Sequence, residues 1–303
     1  MPQATVNGLR FEYDIHGAAG DPAVLLIMGF SAQMTMWPMS FVEGLVGRGF
    51  RVVRFDNRDI GLSSKLDEKG PPDIGAAMTA AMTGQRYAGA PYLLDDMAAD
   101  AVGLLDALGI ARAHIVGASM GGMIAQIVAA KHPGKTISLT SIMSTTGRPG
   151  LPAAAPEIMG ALMTPPASPS REDRRKQFMG MFRTIGSPGF PATEAEIEAL
   201  ADAQVDRAPY NPAGVGRQMV AIMSSEPRHE LLAGVRCPAL VLHGADDPLV
   251  PLEGGKDTAA SIPGAELVVI PGMGHDFTEA LMPQFLTHVG GFLSRVQSRA
   301  EAA

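Results

Sequence analysis

Ser119 stands in the run Gly117-Ala118-Ser119-Met120-Gly121, a Gly-x-Ser-x-Gly pattern with a further glycine, Gly122, directly behind it. The residues before it, including Ile115 and Val116, are apolar and β-branched, and those after Gly122 carry apolar side chains at helical spacing. A strand that turns at once into a helix holds a serine in a strained conformation with its hydroxyl projecting. Small neighbours let the two elements pass closely. The chemistry such a serine suits is nucleophilic attack. The plainer alternative is a glycine-rich turn of a doubly wound sheet that binds phosphate at the helix N-terminus.

A serine hydroxyl is a weak nucleophile near neutral pH, so an imidazole must take its proton and a carboxylate must orient and stabilise that imidazole. In a parallel sheet such partners sit in loops beyond the carboxyl ends of strands, where Ser119 already lies. Two loops qualify. "LVLHGADDPLVP" follows one strand-like run and offers Asp246 and Asp247; "VVIPGMGHDF" follows another and offers His275. Adjacent loop residues point in different directions, so only one of the two acids can reach the imidazole, and the residues alone leave both open. The end of the sixth strand, "TSIMSTT", contains no carboxylate. The remaining histidines, His16, His114, His132, His229, His243 and His288, lack the combination of strand end, glycine-rich loop and chain order, and read as structural or solvated.

Near the N-terminus, Asn7-Gly8 between two short amphipathic stretches is a β-hairpin signal. "AVLLIMGF", "RVVRFD", "AHIVGA", "TISLTSIM", "ALVLHG" and "ELVVIPG" are continuous apolar runs of strand length, as expected of a parallel sheet buried on both faces. "LLDDMAADAVGLLDALG" reads as a helix with acids near its start and Gly109 at its C-terminal cap. Between about Gly147 and Gly234 the strand pattern gives way to prolines and helical pieces such as "REDRRKQFMGMFRTI" and "TEAEIEALADAQVDR". This reads as a helical cap, residues 147–234, inserted into a core of residues 1–146 and 235–303. Its methionines at 159, 163, 179, 181, 219 and 223 could line an adaptable pocket, although for most of them packing within the cap's own core is the expectation.

The order serine, acid, histidine, with a helical insertion between serine and acid, is the order of the α/β-hydrolase fold. The sequence resembles that superfamily along its whole length: in the hairpin, in "LLIMGF", in "RFDNRDIGLS", in the Ser119 turn, in "LHGADDPLVP" and in "IPGMGH". It is most similar to the branch of aclacinomycin methylesterase, bacterial carboxylesterases and cofactor-free haloperoxidases. The resemblance implies a mostly parallel eight-stranded sheet flanked by helices. It also implies an esterase with Ser119 as nucleophile, His275 as base and Asp247, directly before Pro248, as the acid. One oxyanion donor belongs to the backbone N–H of Met120, the residue after the nucleophile. The other falls to the N–H of Phe30, because Gly29 matches the family's glycine while Met28 replaces its common histidine. Gly29, Phe30 and Met120 are then also substrate-contacting. Within "DNRDIGLS", Asp59 departs from the glycine often found there, and Arg58, Gly61 and Ser63 read as loop-bracing. Trp37 is expected to pack beneath its loop rather than touch ligand.

The chain of 303 residues suits one large α/β domain with an insertion, and 46% hydrophobic residues supply an ample core. The formal charge of −7 and the absence of a Lys/Arg cluster argue against nucleic acid and for a small-molecule ester as partner. No apolar run approaches a membrane span, the N-terminus has no signal-peptide centre, and cytoplasmic residence is the expectation. The single cysteine, Cys237, reads as a packed thiol; no metal cluster is expected and no cofactor is required. Two rival activities share these features: a perhydrolase or haloperoxidase-like reaction on the same serine, and a receptor-like binding protein with little turnover.

Overall fold

Asn7 and Gly8 both take left-handed backbone, φ 52° and 79°, which a two-residue hairpin turn requires. Strands β1 (Gln3–Val6) and β2 (Leu9–His16) therefore pair antiparallel with Val6 opposite Leu9. The computed structural model describes residues 2–302. Six further strands follow: β3 (Ala23–Ile27), β4 (Arg51–Phe55), β5 (Ala113–Ala118), β6 (Thr136–Ile142), β7 (Ala239–Gly244) and β8 (Glu266–Ile270). Together they form one eight-stranded sheet in the order β1-β2-β4-β3-β5-β6-β7-β8. β2 meets β4 antiparallel, and every pair from β4 through β8 is parallel.

Every residue of β3 and of β5 is buried, because both strands are central and helices cover both faces. The helices between the strands of the first half are α1 (Met39–Val46), α2 (Ile74–Met82), α3 (Leu94–Ala107) and α4 (Met120–Lys131). Strand alternation divides the core in two. Leu25, Ile27 and Ile115 pack with α3 and α4 on one face. Val24, Leu26 and Val116 pack with Phe41, Val42 and Leu45 of α1 on the other. Trp37 lies in that second layer, fully buried, its ring centroid 4.9 Å from Phe277 and 5.9 Å from Phe41, as its sequence context led us to expect. Cys237 is a partly buried thiol beside the first layer, and burial pushes its pKa up to about 11.

Between β6 and β7 the chain forms only helices: α5 (Pro156–Met163), α6 (Arg171–Ile185), α7 (Glu194–Arg207), α8 (Pro212–Ser224) and the single turn α9 (His229–Leu232). Side-chain caps start three of them. Ser170, Thr193 and Asn211 accept from the backbone N–H groups of Asp173, Glu196 and Gly214, satisfying donors that a helix start leaves open. Met179, Phe182, Ile197 and Ala201 make a small core between α6 and α7. The chain closes with α10 (Leu252–Ser261), β8, the turn α11 (Met282–Phe285) and α12 (Gly291–Glu301).

His114, at the start of β5, is fully buried. Its Nε2–H donates to Gln297 Oε1 at 3.1 Å, and its Nδ1 accepts from the Ser138 hydroxyl at 2.7 Å. Burial holds the ring neutral and lowers its pKa to about 4. The unfolded chain, with an ordinary imidazole, binds the proton first as pH falls, so this residue's contribution to stability is present above about pH 6.5 and is lost downward toward about pH 4. We predict that the protein loses about 2 kcal/mol from this group between about pH 7 and about pH 5. Urea unfolding at the two pH values should show a clearly smaller loss in His114→Gln.

Candidate active site

Ser119 joins β5 to α4 with φ 54° and ψ −121°, a region costly for any residue with a Cβ. The surroundings over-determine it. Its N–H donates to Ile142 O at 2.9 Å, its carbonyl accepts from the Ser144 hydroxyl at 2.8 Å and from Met123 N–H at 3.1 Å. Two of the glycines around it are sterically required. A Cβ on Gly117 would lie 2.0 Å from the Gly121 carbonyl oxygen, and one on Gly121 would lie 2.0 Å from that of Ile27.

His275 follows β8 and is 7% exposed. Its Nε2 is 3.0 Å from Ser119 Oγ, and its Nδ1–H donates to Asp247 Oδ2 at 2.7 Å. With the Nδ1 proton so engaged, the Nε2 lone pair faces the serine hydroxyl. Asp247 follows β7; its other oxygen accepts from Leu249 N–H at 2.9 Å and Val250 N–H at 2.8 Å. A second buried histidine, His243, stands 3.6 Å from Asp247. It donates instead to Val250 O at 2.8 Å, and burial lowers its pKa, so it sits neutral behind the acid. Asp246 points the opposite way. It is exposed and accepts from Gly272 N–H at 2.7 Å, bracing the loop that carries His275.

Met120 is the first residue of α4, so its N–H has no intrahelical acceptor. A Cβ on Gly29 would lie 3.1 Å from Ser119 Cβ and 3.7 Å from Oγ, which brings the backbone leading into Phe30 against the serine. Gly29, Phe30 and Met120 all line a cavity of about 630 Å³ that also contains Ser119 and His275. Four of the six methionines between residues 159 and 223 line it too: Met159, Met163, Met181 and Met219. The expectation that most would pack within the helical insertion is thus corrected. The helices lie over an open site, so their inward faces meet the cavity, and Met179 is the one in their own core.

Several residues that the sequence did not single out hold this site to the helices between β6 and β7. The loop after β3 is fixed by groups of these helices: Ser31 N–H donates to the Gln218 side-chain Oε1 at 3.0 Å, and Gln33 Nε2 donates to the backbone carbonyl of Gln204 at 2.7 Å. Arg207 bridges Gln33 Oε1 and Asp56 Oδ2, each at 2.7 Å, while Asp56 Oδ1 accepts from Met34 N–H at 2.8 Å. The histidine loop is tied to the end of α6. His275 N–H donates to Ile185 O, and Gly274 N–H to the Ser187 hydroxyl, both at 2.8 Å; Ser187 in turn donates to Asp276. Burial raises the Asp276 carboxyl. A carboxylate directly after the histidine, in "GHDF", was the available signal.

Asp59, which departs from the family's usual glycine, faces Arg217 of α8 through a bidentate pair at 2.6 and 2.8 Å, both side chains fully buried. It also accepts from the Tyr92 hydroxyl at 2.9 Å. Burial works to raise the Asp59 carboxyl, but Arg217, the Leu66 N–H and Tyr92 outweigh it and hold the carboxyl below its usual range.

The chain matches the family model of the alpha/beta hydrolase fold over residues 22–279 and belongs to that family. Among curated relatives, it is 30% identical over 286 residues to rhodomycin D methylesterase DauP of Streptomyces sp. strain C5, covering 84% of this chain and 86% of that one. The corresponding enzyme DnrP of Streptomyces peucetius is 29% identical over 278 residues, with the same coverage. A putative carbamate hydrolase, RutD, of Caulobacter sp. strain K31 is 27% identical and spans 97% of this chain and 98% of its own. Among solved structures, an enol-lactonase from Burkholderia xenovorans LB400 superposes with a TM-score of 0.71 at 23% identity, over 97% of this chain and all of that one, a likeness of fold. No described helix is long and apolar enough to cross a membrane.

The buried ion pair yields a direct test. Arg217→Met leaves the Asp59 carboxylate buried without its cation and should cost about 3–5 kcal/mol. Adding Asp59→Asn should recover much of that loss, since the uncompensated charge is gone. Urea unfolding followed by the fluorescence of Trp37, the only tryptophan, gives both values.

Proposed function

We propose that this protein is a carboxylic ester hydrolase that works through an acyl-enzyme on Ser119. The observation that carries the reading is the hydrogen-bonded chain Asp247–His275–Ser119 at the floor of a cavity of about 630 Å³. His275 Nε2 takes the hydroxyl proton as Ser119 Oγ attacks the ester carbonyl. Asp247 keeps the Nδ1–H tautomer and stabilises the imidazolium that results. The N–H groups of Phe30 and Met120 receive the developing oxyanion. The imidazolium returns its proton to the departing alcohol, and a water, activated by the same imidazole, then releases the acid. None of these steps calls on a metal or organic cofactor.

The substrate proposed is a bulky, largely apolar ester. The cavity wall is mainly apolar, with methionine its most frequent residue, and thioether side chains adapt to irregular apolar shapes. Methyl esters of polycyclic acids are favoured by the likeness to the rhodomycin D methylesterases. The proposal includes a division into a core, residues 1–146 and 235–303, and a cap, residues 147–234, that closes over the ester.

Ser119→Ala should remove nearly all turnover of p-nitrophenyl and methyl esters while leaving the fold intact, and a fluorophosphonate probe should label the wild type at Ser119. Asp247→Asn should lower kcat by about ten-thousandfold, by favouring the wrong tautomer. Asp246→Asn gives up one exposed hydrogen bond and should cost no more than about tenfold. Labelling away from Ser119, or a crippled Asp246→Asn beside an active Asp247→Asn, overturns the assignment. For the cap, limited proteolysis should cut within residues 147–234 first, and more slowly with a non-hydrolysable apolar ester analogue bound. First cuts within the strands of the sheet would contradict the division.

A further inference from the structure

α6 presents one continuous stripe to the cavity: Arg174, Gln177, Phe178, Met181, Phe182 and Ile185 all line it. The spacing of three and four residues is that of a single helix face. The two ends of the stripe differ in chemistry. At the C-terminal end, Ile185 O accepts from the backbone N–H of His275, so that end abuts the loop that carries His275. Eleven residues earlier stands Arg174, about 16 Å away along the helix axis at 1.5 Å per residue. Between them the wall is aromatic and thioether.

The cations of α6 are otherwise paired with carboxylates. Arg171 binds Asp202 and Asp206, Arg175 binds Glu198 and Asp202, Lys176 faces Glu172, and Arg183 pairs with Glu194. Among the described residues, Arg174 has no such partner. Its Nη2 donates to the backbone carbonyl of Val205, and its Nε is buried without a hydrogen-bond acceptor. The nearby acid, Asp206, is committed to Arg171. The guanidinium lies over the ring of Tyr210, 5.9 Å from its centroid, and Tyr210 also lines the cavity. A buried donor on a charged group without an acceptor is costly, and a guanidinium fork matches a carboxylate.

We infer that Arg174 forms a remote anion subsite, and that the ester this enzyme prefers carries a carboxylate at the far end of an apolar body long enough to follow the stripe, which runs about 16 Å along the helix axis. This rests on the ester-hydrolase reading above. It adds a substrate class: an elongated apolar ester bearing one distal negative charge. The ester lies along the stripe with its carbonyl toward Ser119, and the distal carboxylate meets the guanidinium of Arg174 where that residue lines the cavity.

The test uses p-nitrophenyl monoesters of α,ω-dicarboxylic acids of increasing length, each beside the neutral analogue whose distal acid is capped as a methyl ester. At lengths that span the stripe, the wild type should favour the free carboxylate by roughly ten- to a hundredfold in kcat/KM, the range of a charge-assisted hydrogen bond. Short diacids should show no such preference. Arg174→Met should abolish the preference at long lengths through loss on the carboxylate ester, and Arg174→Lys should retain part of it. Calorimetric binding of the free long diacid and of its half-methyl ester, to wild type and to Arg174→Met, reads the same discrimination without turnover. Ester turnover with no carboxylate preference, or a preference that survives in Arg174→Met, overturns the subsite and leaves the hydrolase reading intact. Absence of turnover on every ester, with Arg174-dependent diacid binding preserved, overturns the hydrolase reading and leaves the subsite.

Discussion

The site depends on one strained backbone position. Ser119 takes a positive φ that costs about 1–3 kcal/mol, and it is held there because β3, β5 and the start of α4 approach more closely than any side chain at Gly117 or Gly121 would allow. That approach gives the serine hydroxyl its direction. It also sets the first N–H of α4 and the backbone after Gly29 beside it. A small relaxation of the turn would move Oγ off the His275 ring nitrogen, and the burial of the central strands is what resists it. The favourable term is the apolar surface that β3 and β5 bury on both faces of the sheet.

The helices between β6 and β7 do more than cover this turn. Gln218 and Gln204 hold the loop that presents Phe30, and Arg207 holds Asp56, which holds Met34 of the same loop. On the other side, the end of α6 accepts from His275 and, through Ser187, fixes Gly274 and Asp276. These helices therefore help to shape the pocket and also brace the backbones on either side of the serine. The Asp59–Arg217 pair adds a fully buried connection between the loop after β4 and α8. Breaking such a pair on one side strands a charge, so it ties α8 to the loop after β4 as long as both partners are present.

The cavity combines a polar floor with an adaptable wall. Methionine thioethers and phenylalanine rings fill irregular shapes with little directional demand, which suits recognition by bulk and length. Specific hydrogen bonding is then left to the few polar groups on the wall.

Much of this was legible in the residues because the signals are local. Asn7-Gly8 specifies a left-handed turn, the six apolar runs become the six central and edge strands they resemble, and the glycines around Ser119 describe a strand-to-helix turn whatever lies around them. What the sequence could not determine depends on direction in space. Asp246 and Asp247 are neighbours with the same side chain, and only the path of the loop after β7 turns one toward His275 and the other toward Gly272. Methionines at residues 159, 163, 181 and 219 have the composition of a core and became a cavity wall, because helical spacing fixes which residues share a face but not what that face meets. Asp59 finding Arg217, 158 residues away, has no local signature at all. Pairings of that kind are fixed only when the two faces of the fold are brought together, because an ion pair needs a partner within a few ångströms and the chain's order says nothing about distance across it.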